Sequence, residues 1–387
     1  MFLITFLFWL CIAHLLYVYV GYPLLITVLA NLFERRRDQD AAFQPSVSLL
    51  ISAYNEVSVI EAKIQNSLAL EYPADLLEII VISDCSDDGT DDLVCGFEAR
   101  GVRLIRQNQR LGKSAALNFA VPQARGQVLV FSDANAIYQP DAVRLLVRHF
   151  SNAKVGYVVG NARYYESGTQ SSSARSESLY WKLETYLKKK ESCFASVVGG
   201  DGAIYAIRQE LFTPLQATDI NDFLNPLQII ARAYDGVYEP DSICYEEAAK
   251  SFRLEYQRKV RIISRSMNAL RRIPAVLNPF KNSRHWIVLM SHKVLRWFAP
   301  FSMILLLVLS LMLWRHPFYR VAALCQVVFY LMAVFGSQWH ANHGLGRAFT
   351  LPFYFCLVNF ASLVGCIRCM RGNLSSQWAT PRQKVAG

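Results

Sequence analysis

From Met1 to Phe33 the chain carries no charged residue, and Glu34 followed by Arg35, Arg36 and Arg37 closes the run. About 20 apolar residues cross a bilayer, so this run predicts a membrane-spanning helix. The basic residues come after it, the reverse of a cleaved signal peptide, so an uncleaved anchor is expected. The positive-inside rule then puts Arg35–Arg37 and the polar stretch after them in the cytoplasm. Three more apolar runs lie at the far end, Trp297–Trp314, Phe318–Trp339 and Ala348–Ile367. Counting all three as spans leaves the tail outside, whereas Arg368, Arg371, Arg382 and Lys384 favour the inside. Two to three spans are therefore expected, and one run is a candidate for a re-entrant or interfacial helix.

Between the runs the pattern changes to alternation. Short apolar strands are expected at Val47–Ser52, Glu78–Ser83, Val102–Arg106 and Gln127–Ser132, with helical stretches at Val57–Leu70, Thr90–Ala99 and Lys113–Ala124 between them. Strands alternating with helices at this spacing predict βαβ units and a largely parallel sheet. The expected organisation is an anchor over 1–37, a soluble domain over 38–265, amphipathic interfacial helices over 266–296, a membrane region over 297–370 and a tail over 371–387. In the third of these segments Pro274 and Pro279 interrupt a mixture of Leu270, Ile273, Val276, Phe280 and Trp286 with Arg271, Arg272, Lys281 and Arg284, which suits a headgroup region.

Composition sharpens this picture. Hydrophobic residues make up 53% and charged residues 18%, more apolar and less charged than a soluble domain. The 40 Lys and Arg against 30 Asp and Glu leave a charge of +10, concentrated beside the spans. No aromatic–basic nucleic-acid motif accompanies it, so nucleic acid is not an expected partner. The nine cysteines are scattered, and a cytoplasmic domain keeps them reduced. Cys366 and Cys369 have redox spacing outside any βαβ context, and His340 with His343 offers two metal ligands without neighbours.

In a parallel sheet, ligands bind beyond the carboxyl ends of the strands. The first expected strand runs into Asn55 and Glu56, the second into Asp84, Asp87 and Asp88, and the fourth into Asp133 and Asn135. Carboxylates and amides on one rim can hold a hard divalent cation or accept from ribose and base donors. Gly112-Lys113-Ser114 ends like a phosphate-binding loop, but the glycine required five residues before Gly112 is Gln107.

Taken in order, Val47-Ser-Leu-Leu-Ile-Ser-Ala-Tyr-Asn-Glu56, Asp84-Cys-Ser-Asp-Asp-Gly-Thr90, Gly112-Lys113 with Ala116-Leu117-Asn118, and Phe131-Ser-Asp-Ala-Asn135 resemble glycosyltransferase family 2. Asp201-Gly-Ala-Ile-Tyr-Ala-Ile-Arg208, Asp222 and Arg258-Lys-Val-Arg-Ile262 are similar to its membrane-integrated branch, which includes cellulose, hyaluronan, chitin-oligosaccharide and poly-N-acetylglucosamine synthases. The resemblance implies an α/β GT-A fold and inverting transfer from a nucleotide-sugar, commonly a UDP-sugar. It implies that Asn55, Glu56, Asp84 and Lys113 serve the donor, and that Asp133 and Asn135 hold Mg²⁺ or Mn²⁺ on the diphosphate. Asp222 becomes the catalytic base, Arg258 and Arg261 face the diphosphate, and Asp201 and Gly202 border the acceptor.

Those roles suit the chemistry. Charge grows on the departing diphosphate, so cations there lower the barrier, and an acceptor hydroxyl needs a carboxylate to take its proton, an effect of about 10²–10⁴-fold. Two departures stand out. The metal motif, normally Asp-x-Asp, ends in Asn135. The motif usually written Gln-x-x-Arg-Trp reads Arg258-Lys-Val-Arg-Ile262, which removes the tryptophan that stacks on acceptor in processive members and leaves Tyr256 or Trp181 as substitutes. The expected function is sugar transfer at the cell membrane to a growing polysaccharide or lipid-linked acceptor, in surface glycan synthesis. Single-sugar transfer to a lipid carrier and a non-catalytic nucleotide-binding subunit are the alternatives. Expected partners are donor, acceptor and membrane lipids, with secretion proteins or a homo-oligomer as further candidates.

Overall fold

A computed structural model describes residues 1–35, 37–165, 172–247, 251–338, 344–372 and 374. Its centre is an eight-stranded sheet formed by β1 (Val47–Ala53), β2 (Leu77–Ser83), β3 (Val102–Arg106), β4 (Val128–Asp133), β5 (Ile137–Tyr138), β6 (Val155–Tyr165), β7 (Tyr205–Arg208) and β8 (Asp235–Glu247), in the order β3-β2-β1-β4-β7-β6-β8-β5. The first four are parallel, in register Val47 with Leu77 and Val128. Beyond β4 the sheet becomes mixed: β7 is antiparallel to β4 and β6, β8 is parallel to β6, and β5 is antiparallel to β8. The expected parallel sheet thus holds for the half built from βαβ units, and the other half reverses at β7.

Successive strand residues point to opposite faces, so β1, buried along its whole length, feeds two cores. Leu50, with Ile80, Leu129 and Phe131, enters one, while Leu49 and Ile51, with Val81 and Val130, enter the other. The second core is closed by α2 (Ile60–Leu68), α3 (Thr90–Cys95) and α5 (Ala142–Val147). The first takes α4 (Lys113–Ala120) and also residues of the long apolar helices, Tyr22, Ile26, Val288 and Trp297. The domain is therefore fused to its apolar helices by a shared core rather than tethered to them.

Six further helices complete the chain: α1 (Phe2–Leu32), α6 (Ser172–Phe194), α7 (Asn221–Ala231), α8 (Phe252–Arg272), α9 (Ser283–Met312) and α10 (Pro317–Gln338), before the last, α11 (Gly344–Met370). Four stretches, Phe2–Leu32, Ser283–Met312, Pro317–Ser337 and Phe349–Met370, are long and apolar enough to cross a membrane. Pro274 opens a short 3₁₀ turn after α8, and the helix that includes Trp297 begins already at Ser283. α1 and α9 each contain one π-helical turn, Tyr17–Gly21 and Met290–Val294, and the two meet where Tyr17 Oη lies 2.7 Å from Ser291 Oγ. Such turns often mark functional positions. Beside them the buried Glu191 of α6 accepts from Tyr22 Oη at 2.6 Å, His292 bridges Glu191 and Glu184, and Arg296 pairs with Glu184. Arg35 and Arg37, expected as a topogenic charge cluster, both pair with Asp235 at the start of β8, at 3.0 and 3.7 Å.

Candidate active site

The strand ends β1, β4 and β8 and the helices α4, α6, α7 and α8 surround one cavity of about 870 Å³. Its walls carry Glu56, Lys113, Asp133, Asn135, Asp201, Gly202, Asp222, Arg258 and Arg261. Expected site residues from widely separated segments of the chain thus share one space. Asn55 and Asp84 stand behind its rim. Asn55 has φ 53° and exchanges hydrogen bonds with Asp87, donating at 2.7 Å and accepting from the Asp87 amide at 3.0 Å. The buried Asp84 carboxylate accepts from the amides of Leu111 and Gly112 at 2.9 Å each. Both hold the loops from which Glu56 and Lys113 project.

At the end of β4, Asp133 Oδ1 receives Lys113 Nζ at 2.5 Å. Behind this loop the fully buried Lys63 donates to Ala136 O at 2.6 Å and lies over the Tyr138 ring, and burial pulls its pKa down to about 7. Gly202 faces the loop. A Cβ there would meet Asp222 Oδ2 at 3.3 Å and Asp133 Oδ2 at 3.6 Å, so only glycine leaves the gap between the two carboxylates free. Asp222 stands in the first turn of α7, where Asn221 starts the helix and binds Tyr205 Oη at 2.7 Å. Burial, with Asp201 and Asp133 nearby and Lys113 opposing, raises the Asp222 pKa to about 6. Its Oδ1 is shut off from solvent and has no hydrogen-bond partner among the described residues. A carboxylate so poised is a competent proton acceptor near neutral pH.

The cationic wall is α8. Arg258 pairs with Glu255 at 2.9 Å, and Lys259 with the same carboxylate at 3.1 Å. Arg261, one turn on, has no ion-pair partner among the described residues, and burial beside Arg258 lowers its pKa. An unpaired, half-buried guanidinium in a cavity is ready for an incoming anion. Trp181 lines the cavity, against Tyr164 with ring centroids 4.6 Å apart, whereas Tyr256 turns away to stack on Phe360 of α11. Of the two substitutes considered for the missing stacking residue, only Trp181 is in reach of the site.

Glu246, at the end of β8, lies on the same wall and was missed by sequence reasoning. Burial, with Asp133 and Asp201 near, pushes its carboxyl up to about 8. The rule that apolar strands here end in carboxylates would have found it, had β8 been recognised as a strand. Asp219, a neighbour that could compete with Asp222, is buried in a pair with Arg272. His340 and His343 lie outside the described residues.

Residues 48–213 match the family Glycosyl transferase family 2. Together with the sheet and the rim this defines the class: the chain carries a family 2 glycosyltransferase domain on the GT-A fold, and the resemblance read from the motifs is borne out. A probable glycosyltransferase, YdaM, of Bacillus subtilis is 27% identical over 56% of this chain and 54% of its own length. The poly-beta-1,6-N-acetyl-D-glucosamine synthase of Staphylococcus epidermidis is 32% identical over 30% of this chain and 28% of its own. The chain thus spans about half or less of these relatives. A mannosyltransferase of Pyrobaculum calidifontis, solved with GDP-Man and Mn²⁺, shares the fold at a TM-score of 0.71 and 21% identity, over 94% of this chain and 99% of that one.

Proposed function

We propose that the protein transfers a sugar from a nucleotide-sugar, in the UDP series, to an acceptor hydroxyl at the membrane, with inversion, in the synthesis of a surface glycan. The observation that carries the proposal is the convergence of Asp222, Asp133, Lys113 and Arg261 on one cavity whose far wall is made of apolar helices. The domain faces the cytoplasm, where nucleotide-sugars are, with the Arg35 and Arg37 side of α1 inward.

The donor diphosphate lies between Lys113, Arg258 and Arg261. On its arrival Lys113 exchanges Asp133 for a phosphate oxygen, and Arg261 gains its missing partner. The donor set left at the loop, the Asp133 carboxylate and the Asn135 amide oxygen, suits a hard cation that takes its other ligands from phosphate and water. Mg²⁺ or Mn²⁺ held there would neutralise charge on the departing diphosphate. Asp222 takes the proton of the acceptor hydroxyl as its oxygen bonds to the anomeric carbon from the face opposite the diphosphate. One displacement with one base inverts that centre and needs no covalent intermediate on the protein. Gly202 keeps the space between Asp222 and Asp133 open for the sugar.

The test is nucleotide release by the detergent-purified chain with a panel of UDP-sugars, with and without Mn²⁺ or Mg²⁺. Metal-dependent release with one sugar, lost in Asp222→Asn, is the expected result. Nucleotide binding without turnover under every condition would refute the enzymatic reading in favour of a binding subunit.

A further inference from the structure

The cavity does not stop at the carboxylates. It continues to Tyr19 of α1, Trp297 of α9 and a stripe of α11 formed by Leu351, Tyr354, Phe355, Val358, Asn359 and Ser362. These positions recur at helical spacing, so one face of α11 forms a wall of the same space that holds Asp222. Leu351 is 55% exposed, whereas Tyr354, Asn359 and Ser362 are buried, so the exposed end of the stripe is apolar and polar groups lie further along it. Asn359 Oδ1 accepts from Tyr19 Oη at 2.8 Å, which fixes the stripe at that point.

The course of α11 sets this compartment beside the cationic α8. Phe353 packs on Phe252, Phe360 on Tyr256, and a Cβ at Gly365 would touch Ile263 at 3.0 Å, so α11 runs beside α8 in the same direction for about three turns. Seven Arg and Lys residues bar α8 from the hydrocarbon. α11 thus stands between the cationic α8 and the apolar α10, where a Cβ at Gly336 would meet Phe353 Cβ at 3.0 Å, so its stripe joins a polar layer to an apolar one.

We propose that the acceptor is a membrane lipid bearing a hydroxyl on its head, which enters sideways along α11 with its chain against Leu351, Phe355 and Val358. The inference rests on the reading of Asp222 as base, and that reading selects the chemistry of the head. A phosphate monoester is already ionised and needs no base, whereas a hydroxyl does. In the step the hydroxyl oxygen bonds to the anomeric carbon, the bond from that carbon to the diphosphate breaks with its electron pair on the leaving oxygen, and the hydroxyl proton passes to Asp222. Among the lipids that offer such a hydroxyl are a diacylglycerol and a sugar already carried on a lipid diphosphate, the two that the experiment compares.

The experiment uses the full chain in micelles with the donor that supports nucleotide release, and four acceptors: dioctanoylglycerol, a polyprenyl-diphosphate-linked sugar, polyprenyl phosphate and a soluble oligosaccharide. A labelled product on one of the first two, formed at least tenfold faster than on the others, is expected, and its identity names the source. Val358→Trp, and Phe355→Ala as a second variant in case the first does not fold, should lower that product at least fivefold, while Leu324→Trp on the exposed face of α10 should not. Preferred transfer to the soluble oligosaccharide or to polyprenyl phosphate, or equal rates in the compartment variants and the α10 control, would overturn the lipid-hydroxyl acceptor and leave the transferase standing. No donor turnover with any acceptor or with water would instead overturn the transferase reading itself, and this one with it.

Discussion

Asp222→Asn separates catalysis from stability in a way few other substitutions here can. The amide is nearly isosteric but takes no proton, so turnover should fall by about 10²–10⁴, which is roughly 3–5.5 kcal/mol of transition-state stabilisation. Stability should move the other way. Burial raises the carboxyl from 3.8 to about 6. At about 1.36 kcal/mol for each tenfold step, the charged form is disfavoured in the fold by at most about 3 kcal/mol. Between pH 3.8 and 6 the folded state binds more protons than the unfolded one, so stability falls as pH rises through that window and the whole penalty is present above it. The Asn variant should therefore melt several degrees higher than the parent at pH 7.5 in EDTA, roughly half as much higher at pH 5, and no higher near pH 4. The same titration sets an acid limb on the parent's rate with a midpoint no higher than about 6, since cation and donor draw the carboxyl down. The assays are nucleotide release and thermal unfolding in one detergent. A variant that keeps a tenth of the activity, or that melts lower at pH 7.5, would refute the assignment of Asp222 as a base kept charged at a cost.

Gly202→Ala should fold normally, because its Cβ meets only the two carboxylate ends at 3.3 and 3.6 Å, yet lose tenfold or more in turnover by entering the gap they frame; undiminished turnover would remove the gap from the mechanism. Arg261→Ala should cut turnover by about 10²-fold and weaken nucleotide binding measured calorimetrically, since the guanidinium has no ion-pair partner to serve among the described residues; unchanged nucleotide affinity would place the diphosphate elsewhere. Lys63→Met leaves Ala136 O unpaired, about 1–3 kcal/mol, but removes a buried cation, so its net effect on stability at pH 7 should be small. The parent should gain stability as pH rises from about 7 towards 10.5, where the unfolded chain holds the extra proton, and the Met variant should lack that rise, as melting curves would show.

The βαβ half of the domain was legible because its signals are local. β1, β2, β3 and β4 fall within a residue of expectation, since β1, β2 and β4 are largely apolar runs inside the sheet and β3, at its edge, is a short run between Gly101 and the turn after Arg106. Helix ends moved inward where the backbone prevented continuation: Pro122 turns the end of the expected Lys113–Ala124 helix into a 3₁₀ turn after Ala120. The long β8 was not legible. Its run Asp235–Glu247 includes Pro240 and five acidic residues, and it pairs with β6 some eighty positions earlier, which no local period announces. Glu246 was lost with it. The rim residues were found by chain order along strand ends, whereas the Glu184–His292–Glu191 group was invisible, because it forms only when α6 packs against α1 and α9.

The count of spans shows what composition alone leaves open. Ala348–Ile367 is as apolar and as long as a crossing helix must be, and nothing within it distinguishes crossing from lying flat. Its neighbours are of two kinds: the seven cations of α8 run beside it, and α10 packs on it where Phe329 meets Phe355 with ring centroids 5.7 Å apart. A surface placement of α11, with α1, α9 and α10 as the crossing helices, would bring the end of α11 to the side of the soluble domain. Arg368 and Arg371 would then share that side, as the positive-inside rule asks and four crossings would deny. The same placement would give the last helix a role that a crossing helix could not fill. Lying flat, it would bring an apolar stripe to the cavity that holds Asp222, so the conflict between span count and charge, and the path by which the acceptor proposed above would reach that carboxylate, would have one answer.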